Sequence, residues 1–279
     1  MSGLRARGHD VSSPLALRIE GIGAWTHGAP DWPSLRLALR GEQDLRKDAP
    51  QRPAAVTLPA AERRRAPDGV LLAAEIAGQA CAAAQRDPSA LPCVFASTQG
   101  ELAITDYMCA MLASAPRELS PTKFHNSVHN APAGYWTIAT QCIAGSSAVS
   151  AYHTTFGAGL LEAAVLCAAE QTPVLFAAYD TAASGPLEEI ARIAIPFGAA
   201  LLLSPSPDDD ATRLTIALRT GAKPDSLPHC VSPGLQTLAT DHPLSAHALV
   251  LLTALAQGAP SRLTLPAASG LLLDMEIHV

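Results

Sequence analysis

Clustered positive charge is missing from this sequence. Only 16% of its 279 residues are charged, the net charge is −6, and the lysines and arginines form no stripe. A protein that grips phosphate backbones concentrates cations on one face, so a nucleic-acid partner is not expected. The single basic run, Arg63-Arg64-Arg65 behind Glu62, reads as the solvated start of a helix. Long apolar runs are missing too. The longest candidates, Leu244–Ala256 and Gly157–Ala169, are interrupted by polar residues and suit buried helices, so no membrane association is expected. Residues 1–14 carry two arginines but no apolar stretch ahead of a cleavage site, and read as a flexible arm rather than a signal peptide. The six cysteines (81, 93, 109, 142, 167 and 230) show no CxxC spacing, and several sit in apolar patterns, as reduced core residues of a cytoplasmic protein do.

Several chemical signatures are absent as well. There is no Gly-x-Ser-x-Gly elbow. Gly21-Ile-Gly23 lacks the third glycine of a dinucleotide loop. His125-x-x-x-His129 has the spacing of a metal pair, but no Glu between its members and no obvious third ligand. No metal or cofactor is therefore expected.

What is present is apolar substance: 48% of the residues are hydrophobic, enough for one large core or two packed halves. Leu15–Gly23 alternates and ends in glycines, as a strand entering a turn does. Trp32–Arg40 is a short amphipathic helix, and Asp68–Ala84 a longer one after a Pro- and Arg-rich connector. Pro92–Ser97 is a short buried strand. Glu101–Ala113 is a helix with Ile104, Met108, Met111 and Leu112 on its apolar side. A helix over Asn126–Thr140, a strand over Ser146–Tyr152 and a nearly all-apolar helix over Thr154–Ala169 follow. Pro173–Tyr179 and Gly198–Ser204 are apolar on both faces, as central strands of a covered sheet are. Pro205–Asp210, with its run Asp208-Asp209-Asp210, is a solvated linker. A strand (Arg213–Arg219), a polar stretch, a helix (Leu244–Gln257) and two short strands (Arg262–Leu265, Leu271–Ile277) complete the chain. The order predicts an α/β fold with helices covering sheet faces. Its expected organisation is an arm (1–14), a complete first half (15–204), a linker (205–210) and an abbreviated second half (211–279) packed on the first.

The most informative stretch runs from Pro121-Thr-Lys-Phe124 through Asn130-Ala-Pro-Ala-Gly134 to Ser150-Ala-Tyr-His153 and the apolar helix behind it. Here the chain resembles the β-ketoacyl synthases of the thiolase superfamily. Those enzymes carry a Pro-x-x-Phe segment, then Asn-x-x-Ala-Gly, then a strand ending in Thr-Ala-Cys at the mouth of a buried helix. The resemblance extends to Gly21-Ile-Gly23, the strand ending at Ser97 and Pro196–Leu201, about two thirds of the chain. It implies a layered α-β-α-β-α thiolase-like fold.

In that family a thiolate at the strand-to-helix turn accepts an acyl group, and two histidines assist condensation. The ungapped register puts His153 in the nucleophile's place. An imidazole is no durable acyl carrier, so His153 either caps the buried helix or keeps a residual binding role. Cys142 lies upstream, in the connection before the strand, and reads as structural. The His-Gly-Thr stretch and the Phe-Gly-x-Gly ending are absent. Asp241-His242 is either a remnant of the second histidine or the start of a helix, with Asp241 capping and Pro243 in the first turn.

The resemblance therefore implies a subunit without condensing activity of its own. It is similar to the chain-length factors of type II polyketide systems, and within them to proteins of aryl polyene (xanthomonadin-type) pigment clusters. The implied partners are a full-length ketosynthase, in a heterodimer, and an acyl carrier protein. The implied interface holds Asn130, Trp136, Ala148, Ser150 and Tyr152. The implied tunnel floor holds Gln99, Ala103, Tyr107 and Phe124. Two other readings stay open: an independent acyl-transfer enzyme using Cys142 or His153, and a binding module for acyl carrier protein.

Overall fold

The computed structural model describes residues 14–205, 212–221 and 233–279. The arm, the linker core with Asp208–Asp210, and Cys230 lie outside the described residues. Eight strands form one sheet in the order β3-β2-β4-β5-β1-β6-β8-β7. They are β1 (Leu15–Thr26), β2 (Cys93–Ala96), β3 (Ser146–Val149), β4 (Val174–Asp180), β5 (Phe197–Ser204), β6 (Arg213–Thr220), β7 (Ser261–Ala268) and β8 (Leu271–His278). The helices are α1 (Trp32–Leu39), α2 (Ala60–Arg65), α3 (Asp68–Ala83), α4 (Leu102–Ser114), α5 (Pro121–His125), α6 (Ala131–Thr140), α7 (Thr155–Glu170), α8 (Glu188–Ala191), α9 (Pro233–Asp241) and α10 (Pro243–Gln257). Strands β3, β2 and β4 are parallel, and the remaining pairings are antiparallel.

The two halves meet in β1. Its residues Leu15–Arg18 pair with β6, and Arg18–Thr26 pair with β5, so one long strand carries the sheet from the first half into the second. Helix α3 lies on one face of the first half. It approaches β1 so closely that a Cβ on Gly23 would stand 2.0 Å from the Ile76 carbonyl oxygen, which is why a glycine stands there. Helix α7 lies on the opposite face and also packs against β7, so the sheet folds around it. Phe156 of α7 meets Phe176 of β4 edge-to-face at 5.4 Å, an arrangement that adds about 0.5–1.5 kcal/mol to simple burial. Helix, sheet, helix and sheet thus stack in layers, as in the thiolase-like expectation, but among the described residues no helix adds the fifth layer over the second half's outer face. On the second half's outer face, the ion pairs Arg219–Asp274 and Arg262–Glu276 occupy the surface of β6, β7 and β8.

Four expectations change. The helix expected from Asn126 begins at Ala131, after a break from α5, because Pro132 can stand only in a first helical turn. The strand expected to reach Tyr152 stops at Val149. Tyr152 instead opens a 3-10 turn with φ +50°, a left-handed conformation that costs a bulky side chain about 1 kcal/mol or more. The polar stretch before α10 contains α9. Helix α4 buries only Leu102 and Ile104, so the apolar side carried on by Met108, Met111 and Leu112 is largely uncovered.

Candidate functional site

The carboxyl ends of the three parallel strands converge, the place where α/β sheets gather polar groups. Ser97 follows β2, Ser150 follows β3, and Asp180 ends β4. Asp180 Oδ1 accepts hydrogen bonds from Ser97 Oγ at 2.7 Å and from the Thr98 amide at 2.9 Å. Ser97 Oγ in turn accepts from the Gly100 amide at 2.9 Å. Ser150 Oγ donates to the Thr98 carbonyl at 2.9 Å. His129 Nε2 donates to the Ser97 carbonyl at 2.9 Å. One short segment, Ser97–Gly100, is thereby held from three sides.

The second half reaches this cluster through His242, the residue that precedes α10. Its ring is not a helix cap; it points inward, with side-chain exposure of 5% for His242 and 2% for Asp180. His242 Nε2 lies 3.2 Å from Asp180 Oδ2, off the line of a hydrogen bond, and among the described residues neither atom has a hydrogen-bond partner. Burial raises the Asp180 carboxyl to about 7, against the pull of the donors from Ser97, Thr98 and Gln99. Burial first, then the nearby His153 and His247, lowers His242 to about 4. Burial and His153 lower His247 likewise to about 4. At neutral pH both histidines are uncharged, and the site is one of neutral rings beside a carboxyl that titrates near neutrality.

His153 stands in the 3-10 turn ahead of α7, exposed and against Tyr152, with ring centroids 3.8 Å apart. It does not cap α7. Thr154 holds the cap position without a side-chain bond, and Thr155 Oγ1 ties the turn by donating to the Tyr152 carbonyl at 2.8 Å.

Residues 38–262 match the sequence family described as β-ketoacyl synthase, N-terminal domain. The chain belongs to the β-ketoacyl synthase family. Among curated proteins no sequence match is found. Solved structures similar to it include a ketosynthase (ApeO) in complex with its chain length factor (ApeC) from Xenorhabdus doucetiae. That likeness has a TM-score of 0.68 and 23% identity, over 94% of this chain and 99% of the other. A second is the complex AntDE:AntF, a type II polyketide synthase acyl-carrier protein with its hexaketide-bound ketosynthase. There the TM-score is 0.70 and the identity 11%, over 96% of this chain and 100% of the other. The ishigamide ketosynthase/chain length factor is a third, at TM-score 0.62 and 10% identity, over 95% and 99%.

Within this ketosynthase-like frame, the residues singled out from the sequence separate into groups. Cys142 is buried, and its thiol donates to the Leu91 carbonyl at 3.3 Å. That is the amino end of β2, while His153 belongs to the carboxyl end of the neighbouring strand, so Cys142 is remote from the cluster. Trp136 is corrected. It is fully buried, with its ring centroid 6.5 Å from that of Phe95, and belongs to the core rather than to any interface. Asn130, Ala148, Ser150 and Tyr152 are exposed along one edge. Gln99 lies in the clamped segment, Ala103 and Tyr107 lie one turn apart on α4, and Phe124 is on α5. Tyr107 is engaged close at hand. Its hydroxyl accepts from the Ser120 amide at 3.0 Å, and Lys123 Nζ sits 3.7 Å over its ring. Phe124 is free, 59% exposed. His125 and His129 do not share a helix face, because the break between α5 and α6 falls between them. Among the described residues no helix is long and apolar enough to cross a membrane.

Sequence reasoning passed over Asp180 and His247. Each left a faint signal: a carboxylate ending an otherwise apolar strand, and a histidine inside an apolar helix. Neither signal names its counterpart.

Proposed function

We propose that this chain is a non-catalytic, chain-length-factor-like subunit that pairs with an active β-ketoacyl synthase in fatty-acid or polyketide elongation, of the aryl polyene kind. The observation that carries the reading is the uncovered edge at β3. Its residues Ser146-Ser-Ala-Val149 pair with β2 on one side only, so backbone donors and acceptors point outward. The flanks are apolar and open: Ile143 is fully exposed, and Ile138, Val128, Phe124 and Tyr152 are each more than half exposed. A groove of about 860 Å³ between α2 and α5–α6, lined by Arg65, His125, Val128, Asn130, Tyr135 and Ile138, adds shape to the same side. Apolar surface of this extent beside an open strand marks a protein contact.

In this reading a strand of the ketosynthase continues the sheet at β3, and α4 and α5 lie against the partner's acyl tunnel. The exposed Phe124 and the uncovered side of α4 then form a wall. Each methylene accommodated gains only about 0.8 kcal/mol, whereas one without space meets a steric barrier, so such a wall sorts chain length. The growing chain arrives on an acyl carrier protein. The wall residues are Gln99, Ala103, Tyr107 and Phe124, with Tyr107 also bracing the α4–α5 hairpin. The remote position of Cys142 weighs against an independent acyl-transfer enzyme built on it.

The test is co-expression with full-length ketosynthases from the same genome. A stable 1:1 complex that condenses acyl and malonyl thioesters, with no product from the chain alone, supports the reading. Condensation by the isolated chain, or failure of the two proteins to associate, refutes it.

A further inference from the structure

The second half is short, yet it sends one buried polar side chain into the first half's cluster. We propose that Asp180, braced by His242, is the positioning residue of the partner-facing edge, and that delivering His242 to it is what the abbreviated second half contributes to assembly. The inference rests on the pairing role argued above.

The geometry concentrates on four residues. Asp180 Oδ1 holds Ser97 Oγ and the Thr98 amide, Ser97 Oγ holds the Gly100 amide, and Ser150 Oγ and His129 Nε2 hold the Thr98 and Ser97 carbonyls. The segment Ser97–Gly100 is therefore the common anchor for α4, for the end of β3 and for the turn between α5 and α6. Of these, the end of β3 belongs to the open edge, and α6, which follows the turn, packs on β3. Behind the anchor, the other carboxylate oxygen faces His242 and, among the described residues, accepts no hydrogen bond. The backbone at His242 is tied into the corner between α9 and α10, where Ser245 Oγ shares its proton between the Leu238 and His242 carbonyls. A buried carboxyl facing a buried imidazole without a formed hydrogen bond is a poor device for stability alone, since unpaired buried polar atoms cost about 1–3 kcal/mol each. A small rotation of either group closes the bond, and the anchor is then fixed from behind.

The titratable groups around Asp180 are His242 just ahead of α10, His247 on α10, His153 from the turn before α7, His129 from the segment ahead of α6, Glu101 beside α4 and Tyr179 on its own strand. Of these, Asp180 is the group that burial brings to about 7. Ionising it buries a charge that the donors on Oδ1 offset only in part, so the edge should loosen as pH rises through that value.

Hydrogen exchange on the full chain, with affinity for the ketosynthase measured in parallel, tests this. His242→Leu and Asp180→Ala should speed amide exchange at residues 97–100 and 146–150 at least tenfold, leave β7 and β8 unchanged, and weaken partner binding at least tenfold. Asp180→Asn keeps an oxygen acceptor for Ser97 and Thr98 and should stay within threefold of wild type. After correction for intrinsic rates, wild-type exchange at the edge should rise between pH 6 and 8, and that of Asp180→Asn should not. Exchange at the edge unchanged in His242→Leu, acceleration spread evenly into β7 and β8, or an identical pH response in Asp180→Asn would each overturn the proposal. If Asp180→Ala does not fold, His242→Leu and Asp180→Asn still decide it. A wild-type chain that binds no ketosynthase would sink the pairing role, while the exchange data would still judge the anchor.

Discussion

The sheet has two edges, and they are built on opposite principles. Strand β7 carries Arg262, Pro266 and a register shift between Pro266 and Ala268, devices that deter another strand from pairing. Strand β3 has none of them. It is short, uncharged and composed of Ser, Ser, Ala and Val, with exposed apolar residues on its flanks. One edge is equipped to remain free and the other is left open, so β3 is the side that the proposed pairing would use. The polar cluster follows the same division, since Ser97, Ser150 and Asp180 sit at the carboxyl end of the β3 side.

The sharpest way to break this comparison uses two matched alanines. Ala148 on β3 and Ala268 on β7 are both exposed. Ala148→Lys should weaken association with the ketosynthase at least a hundredfold in titration calorimetry, and Ala268→Lys by less than twofold. Equal effects would erase the distinction between the edges.

A second contrast is in pH. Behind the β3 edge, His242 and His247 are held near 4, below their ordinary range, so the stability that comes from burying them neutral is complete above about pH 6.5 and is lost as pH falls toward 4. Asp180 acts in the opposite sense. With its carboxyl raised to about 7, stability declines as pH climbs from the ordinary carboxylate range to that value. Two histidines outweigh one carboxyl, so Tm by calorimetry should peak near pH 6.5 and fall by about 5 °C or more at pH 4.5. On the β7 edge, the Arg262–Glu276 pair is exposed and worth about 0–1 kcal/mol, so Arg262→Ala should change Tm by about 2 °C at most.

Smaller effects should appear in the products. Phe124→Ala should lengthen the carrier-bound chains made by the reconstituted pair by one or two extension units, read by mass spectrometry. Tyr107→Ala should do less, and should also loosen the α4–α5 hairpin, because its hydroxyl and ring are already engaged by Ser120 and Lys123. Cys142→Ala should leave the pair's turnover within twofold of wild type. A larger loss would reinstate the thiol as a participant.

Much of the architecture was legible from residue order. Strands β1, β2, β4 and β5 and helices α3, α7 and α10 follow from apolar period and from glycine and proline punctuation, and all lie where those patterns put them, within a few residues. Asn130-Ala-Pro-Ala-Gly134 and its neighbours disclosed the ketosynthase resemblance. The errors share a cause. The resemblance puts Trp136 at an interface and an apolar stripe puts Met111 inside, but Trp136 is buried by its own chain and Met111 is left part-exposed. A stripe states that a residue favours burial; it does not state what will bury it.

By itself, then, the amino-acid order determined most of the elements and the layered class, because these depend on local spacing and on residue identity. Tertiary structure decided the rest: that β3 ends at Val149 and stays open, and that His242 turns inward to meet Asp180. The physical reason is separation along the chain. Asp180 ends one strand and His242 precedes a helix in the other half, and only the folding of the sheet around α7 brings them to 3.2 Å.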